Sequence, residues 1–413
     1  MPNHKFTYQC TNCGKHYTES QVAYLCPDCN KSNTPDLPPK GVLKVIYNYE
    51  KLVSDGVSFS KLKENNFLDL LPLKSIKSLP NLKVGNTPLY KTDNFKDFCF
   101  NLFLKDDSQN PTYSFKDRAS SVVSAYAKEK GYNTIVAAST GNAGSSLAGI
   151  CAAQGQKAII LVPKAAPIAK LTQIIMYGAT IIPVNGTYDD AFDLSMEATE
   201  KFGWYNRNTA FNPFTIEGKK TVAFELFEQM NYTVADRIFV PVGDGAIISG
   251  VYKGFEDLLN LNIINKIPTI VAVQSEKSNN LIRNIDKDEF TVVESSTIAD
   301  SISVDIPRNF YMTQMFINTY KGECISVTDN EILTASKLLS ENTGLFAEPA
   351  AATAFAGMIT YQKNNKIPKG SNNVVLLTGS GLKDLKNISG MLKIPEAISP
   401  SIDNIKNVHD DFI

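Results

Sequence analysis

Residues 134–163 read TIVAASTGNAGSSLAGICAAQGQKAIILVP. Two short apolar runs, TIVAA (134–138) and KAIILVP (157–163), enclose a stretch of small residues that closes on Gly155. Apolar runs of that length, bounded by turn residues, predict buried strands, and the stretch between them predicts a helix. A strand–helix–strand unit argues for a parallel sheet covered on both faces. The turn ASTGNAGSS (138–146) joins the first strand to the helix. Gly141 and Gly144 there permit close backbone approach. Ser139, Thr140 and Asn142 add hydroxyl and amide groups at a helix N-terminus, where free N–H groups and the positive dipole end suit a carboxylate or phosphate. A plain N-cap with a tight turn would use the same residue types.

The alternation continues on both sides. LFLK (102–105) predicts a strand, and residues 116–130 place Ala119, Val122, Val123, Tyr126 and Ala127 on one helical stripe. A helix over 167–177 stops at Gly178, and TIIPV (180–184) is a strand. A helix follows Glu217, then the strand RIFVPV (237–242), a helix after Ala246, the strand TIVAVQ (269–274) and the strand NVVLLT (373–378). Ligands of such sheets sit beyond the carboxyl ends of strands. Two further strand ends carry glycine turns. In PVGDGAIISG (241–250), Gly243 and Gly245 flank Asp244, and backbone amides of such a turn can wrap a phosphate. It has neither the lysine of a Walker loop nor the third glycine of a dinucleotide fingerprint. In LLTGSGLKD (376–384), Thr378 ends a strand and two glycines release the chain.

A chain of 413 residues predicts two or three domains. Its 41 basic and 42 acidic residues nearly cancel, which argues against nucleic-acid or membrane-surface binding as the main role. No apolar run approaches a membrane span, and MPNHKFTYQC lacks the apolar core of a signal peptide, so a cytoplasmic location is expected. Four of the seven cysteines, Cys10, Cys13, Cys26 and Cys29, form a C-x2-C-x12-C-x2-C pattern. That spacing closes a tetrahedral structural zinc site through two facing knuckles, while a lost metal site or a reversible disulfide pair would leave the same pattern. The ribbon is not strongly basic, so a lid or oligomer contact is expected of it rather than nucleic-acid binding. His4, His16 and His409 lie at the chain ends, leaving no histidine for a triad in the main body.

The remaining stretch is PTYSFKDRASS (111–121), with Lys116 where a helix begins. An amine near positive helix ends and apolar walls loses its proton more easily, and a neutral amine is what a Schiff-base lysine needs. Most lysines, however, are solvated surface charges.

Taken together, SFKDRAS, STGNAG, GDGAIISG and TGSGLKD, in that order, resemble the fold-type II pyridoxal-phosphate enzymes, and most of all the threonine synthase family. GNTPLY (85–90), GWYNRNTAFNPFTIEGKKT (203–221), TIADSI (297–302) and EPAAATAF (348–355) extend the resemblance over about residues 85–390. It implies an α/β fold of two open, mostly parallel twisted sheets with helices on both faces, preceded by the zinc-ribbon-like module. The division expected is a module at 1–34, a linker and first part of the large domain at 35–108, a small α/β domain at 109–208, and the large cofactor domain at 209–413.

By the same resemblance, Lys116 carries the cofactor, pyridoxal 5'-phosphate, as an imine and then moves protons. Asn142 partners the ring hydroxyl. Gly243, Asp244, Gly245, Ala246 and Ile247 grip the cofactor phosphate, and Thr378 is the neutral partner of the ring nitrogen. Ser139, Thr140 and Gly141 hold the carboxylate of a small amino-acid substrate. The implied reaction converts O-phosphohomoserine and water to threonine and phosphate, in a homodimer. Cysteate synthesis from O-phosphoserine and sulfite, serine or threonine deamination, and a non-catalytic zinc-ribbon interaction protein are the alternatives. Two departures bear on the substrate. Ala143 stands where many relatives have threonine. Thr209, Ala210 and Thr215 stand where some relatives place residues, an arginine among them, that hold the substrate phosphate. Lys164, Lys170, Arg207 and Lys219 are the cations that could replace that arginine.

Overall fold

The alternating pattern is realised as three sheets in a computed structural model, which describes residues 4–390, 396–402 and 405. His409 and the end of the large domain expected at 413 lie outside the described residues. Among the described residues the strands are β1 (Phe6–Cys10), β2 (His16–Tyr17), β3 (Leu43–Tyr47), β4 (Leu89–Thr92), β5 (Asn101–Asp106), β6 (Thr134–Ala138), β7 (Lys157–Pro163), β8 (Thr180–Val184), β9 (Tyr205–Asn206), β10 (Arg237–Pro241), β11 (Thr269–Ser275), β12 (Glu323–Val327) and β13 (Asn372–Leu377).

A four-stranded sheet has the order β8-β7-β6-β9 and is parallel throughout. A six-stranded sheet has the order β12-β11-β10-β13-β5-β4 and is parallel except for the edge pair β4–β5. Each sheet has one point where the winding reverses. From β6 the chain moves outward to β7 and β8, then returns to set β9 on the other side of β6. From β10 it moves to β11 and β12, then returns to set β13 on the other side of β10. A crevice opens at such a reversal, beyond the carboxyl ends of the two strands. The turns after β6 and β9, and those after β10 and β13, therefore face ligand space.

The helix expected after Glu217 begins three residues earlier, at Phe214, just after Pro213. Proline at a helix start carries no penalty because its missing N–H is unpaired there anyway.

The third sheet, β2-β1-β3, is antiparallel and belongs to the cysteine module; its β3 comes from residues beyond 34. The module does not stand apart. Phe6, Tyr8 and Tyr126 close on Phe214, with ring centroids 5.7, 6.0 and 4.3 Å from it. Each such pair adds about 0.5–1.5 kcal/mol beyond its buried area. Tyr24 stacks on Phe211 at 4.4 Å, and its hydroxyl accepts from Asn206 N at 3.0 Å. Tyr47 donates to Glu217 Oε2 at 2.6 Å. The module thus packs against the segment 205–217 that leaves β9.

Candidate active site

Three of the four motifs line one cavity, and the fourth is tied to Phe115 beside it. A cavity of about 390 Å³ is lined by Lys116, by Ser139, Thr140, Gly141, Asn142 and Ala143 from the turn after β6, by Arg207 and Thr209 after β9, and by Asp244 after β10. Tyr188 and Asp189 add to the lining, and a further wall from Ser295 to Arg308, irregular apart from the single 3-10 turn Asp300–Ile302, includes Asp300, Ser301, Ser303 and Asp305.

Lys116 owes its position to its neighbours. Phe115 N donates to Thr378 O at 2.9 Å, and Ser114 bridges Gly379, so the helix Lys116–Glu129 starts beside the end of β13. Asp117 accepts from Thr112 N at 2.7 Å and Thr112 Oγ1 at 2.5 Å, which ties down the preceding turn. Arg118 is fully buried between two carboxylates. Its Nε lies 2.6 Å from Asp107 Oδ2 and its Nη1 2.6 Å from Glu225 Oε1. The acid and the base after Lys116 therefore anchor the helix and leave the amine as the group facing the cavity. Burial lowers the Lys116 pKa. Glu348 opposes that shift, Arg207 adds to it, and Asp244 opposes it. The result favours a neutral, nucleophilic amine.

Asn142 is the first residue of the helix Asn142–Gln154. Its Nδ2 donates to Glu348 Oε1 at 2.9 Å and Ser301 Oγ at 3.2 Å. Glu348 is the N-cap of the helix Pro349–Lys363, yet it makes no side-chain cap bond and turns toward Asn142 instead. Burial raises its pKa, against the pull of Lys116 and Asn142.

Gly243, Gly245, Ala246 and Ile247 adjoin Asp244 in the turn that starts the helix Ala246–Asn260, although they do not themselves line the cavity. Gly245 sits at φ +87°, and a Cβ there would meet Thr313 Oγ1 at 2.2 Å, so the turn requires glycine on two counts. The Asp244 and Gly245 carbonyls accept from Asn309 N at 3.0 Å and Thr313 Oγ1 at 3.0 Å. The first N–H groups of the helix have no partner within it. Thr378 is buried directly after β13, tied to Phe115 by its carbonyl; it too lies outside the cavity lining.

Of the four candidate cations, Lys164 is exposed and Lys170 pairs with Asp300 at 2.6 Å. Arg207 is buried in the cavity wall, and Lys219 is buried outside the lining. Thr215 is outside the cavity lining; its hydroxyl donates to Asn212 O at 2.8 Å, just ahead of its own helix. The sequence reading did not single out the wall from Ser303 to Arg308. It is irregular chain without periodicity, and only the neighbouring TIADSI stood out.

Outside the cavity lining, Cys10, Cys13, Cys26 and Cys29 hold their sulfurs within 4.8 Å of one another. Cys10–Cys29 and Cys13–Cys26 are each 3.8 Å apart. Four sulfurs about 2.3 Å from one tetrahedral ion lie about 3.8 Å from each other. A disulfide needs about 2.05 Å. Among the described residues no helix is long and apolar enough to cross a membrane.

The family model described as pyridoxal-phosphate dependent enzyme matches residues 81–379. The threonine synthase of Methanocaldococcus jannaschii is 36% identical over 387 residues, covering 91% of this chain and 92% of that protein. The threonine synthase of Methanosarcina acetivorans is 32% identical over 409 residues, covering 96% and 97%. Among solved structures, the processed threonine deaminase isoform 2 of Solanum lycopersicum aligns with a TM-score of 0.66 at 20% identity, over 82% of this chain and 95% of that one. Maize serine racemase aligns with a TM-score of 0.64 at 23% identity, over 79% and 94%. These two show the fold.

Proposed function

Because the chain belongs to the pyridoxal-phosphate-dependent enzymes and, within them, to the threonine synthase family, we propose that it converts O-phosphohomoserine and water to threonine and phosphate. The observation that carries the reading is the convergence of Lys116, the turn Ser139–Asn142 and Asp244 on one cavity.

The residues fit the cofactor. Lys116 offers an amine of lowered pKa for the aldehyde, and the turn Gly243–Ile247 offers unpaired helix N–H groups for the phosphate. Asn142 would meet the ring hydroxyl and Thr378 the ring nitrogen. A threonine cannot hold a proton on that nitrogen as an aspartate would. When bound, pyridoxal phosphate supplies the electron sink that makes bonds at the substrate's α- and β-carbons labile.

The chain's own work is placement and proton transfer. Ser139, Thr140 and the backbone at Gly141 hold the substrate carboxylate at a helix N-terminus. Lys116 would hold the cofactor, and its free amine would take the proton from Cα and return it later, which its lowered pKa favours. The cysteine module binds one structural zinc ion, which the 3.8 Å sulfur spacings support. A cytoplasmic homodimer completes the reading; the free thiols of Cys99, Cys151 and Cys324, outside the zinc cluster, support a reducing compartment.

The test is stoichiometric. Holoenzyme given O-phosphohomoserine should release threonine and phosphate one for one, and borohydride should fix the cofactor on the peptide containing Lys116. Cysteate from O-phosphoserine and sulfite, or 2-oxobutanoate from threonine, as the faster product would replace the substrate assignment. A protein that takes up no cofactor would leave the non-catalytic alternative.

A further inference from the structure

Two buried cations, Arg207 in the cavity wall and Lys219 behind it outside the lining, lack a charged partner. Arg207 is 1% exposed. Its Nε donates to Ser120 Oγ at 3.2 Å and its Nη1 to Thr209 Oγ1 at 3.2 Å, while Nη2 bonds to nothing. Lys219 is 0% exposed, and its Nζ has no hydrogen-bond partner at all. Among the described residues neither side chain forms an ion pair.

The two belong together. Arg207 lowers the pKa of both Lys116 and Lys219: burial pushes Lys219 well below the ordinary lysine value, and Arg207 and Lys116 push it further, against Asp244. Burial likewise takes Arg207 down to about 10, against Tyr188 and Asp117. An unpaired buried charge costs stability. The fold also makes room for Lys219, since a Cβ at Gly250 would lie 2.5 Å from the Lys219 Cβ. Other buried lysines nearby are paired. Lys220 lies 2.7 Å from Asp257 Oδ2, and Lys105 2.7 Å from Glu225 Oε2. Lys219 and the Nη2 of Arg207 differ from these paired lysines in having no partner.

We propose that Arg207 and Lys219 form the subsite for the phosphoryl group of the substrate. This rests on the proposed phosphorylated substrate. It also assigns the cofactor's phosphate elsewhere, to the backbone N–H groups that start the helix Ala246–Asn260. A dianion between the guanidinium and the ammonium satisfies both orphaned donors with charge-assisted bonds. It also fills the role of the arginine absent at Thr215, because Lys219 lies one turn further along the same helix face. Substrates without the phosphoryl group leave both cations unpaired, so the subsite discriminates as well as binds.

The test uses cofactor-loaded enzyme, with Lys219→Met and Arg207→Gln each compared with the parent. Calorimetry with inorganic phosphate reads the subsite without requiring turnover, and the cofactor dissociation constant reads the other phosphate site. Expected in both variants is a ten- to hundredfold weaker phosphate affinity, on the order of one or two lost charge-assisted bonds, with cofactor affinity unchanged. KM for O-phosphohomoserine should rise by a similar factor, more than kcat falls. In the absence of phosphate, Lys219→Met should unfold at a higher temperature than the parent, the reverse of what a structural lysine would give. Unchanged phosphate affinity overturns the proposal, as does weakened cofactor binding with phosphate affinity intact. If Lys219→Met fails to fold, it contradicts the unpartnered state, and Arg207→Gln still reads the affinity. If the parent binds phosphate as described yet makes no threonine, the reaction is wrong and the subsite stands.

Discussion

Arg118→Met should separate the anchoring role of the residues after Lys116 from chemistry. The guanidinium spans Asp107, which is 0% exposed, and Glu225, which is 15% exposed. Without it, Asp107 keeps Thr87 Oγ1 at 2.7 Å and Asn110 Nδ2 at 3.1 Å but has no cation. Glu225 keeps Lys105 Nζ at 2.7 Å and Asn86 N at 2.7 Å. Most of the penalty therefore falls on Asp107, left buried and charged. Breaking a buried pair in this way costs about 3–5 kcal/mol, or roughly two to four orders of magnitude in the unfolding equilibrium. Burial would raise the Glu225 pKa, yet Arg118 and Lys105 hold it down at about 2, against an ordinary 4.5. The stability from that depression is fully present above 4.5 and is lost as pH falls toward 2. The gap between parent and variant, measured by urea titration, should accordingly narrow over that acid range. A cost near neutrality below about 1 kcal/mol, the range of exposed pairs, would refute the buried clamp.

Lys116→Ala should keep the fold, show no borohydride-stable cofactor adduct by peptide mass mapping, and lose on the order of a hundred- to ten-thousandfold in threonine formation. Glu348→Gln preserves an oxygen for Asn142 while removing a carboxylate whose pKa burial raises. Above the ordinary carboxylate value of 4.5 the parent's folded state resists ionisation, so the variant's stability advantage in the cofactor-free protein should grow as pH rises from there, read by thermal melts. Metal analysis should give one zinc per chain, and Cys13→Ser or a strong chelator should remove it and lower the melting temperature.

Much of the molecule could be read locally. TIVAA, KAIILVP, TIIPV and TIVAVQ are short apolar runs between turn residues, and each is a strand. Gly155 ends its helix at φ +68°, as a glycine after a small-residue run suggests. The order of strands could not be read that way. Nothing in the sequence of β9 or β13 states that each returns to the far side of the first strand of its sheet, because that choice rests on pairings distant along the chain. The same holds for Glu348, which could equally have capped its own helix. Arg207 and Lys219 were two of four possible cations, and only burial and partner geometry set them apart from Lys164 and Lys170. The third strand of the cysteine module was missed because Leu43–Tyr47 pairs with residues more than thirty positions away and follows a proline-rich stretch.

Ser139, Arg207, Asp244 and Thr378 are attached just downstream of a strand, where the ladder of interstrand bonds has already finished. Altering such a side chain touches no rung. The architecture thereby uncouples what holds the barrel-free body together from what it acts upon: new reactivity can be tried at these tips while both frameworks persist, and an inactive variant made there will as a rule still be a well-folded protein.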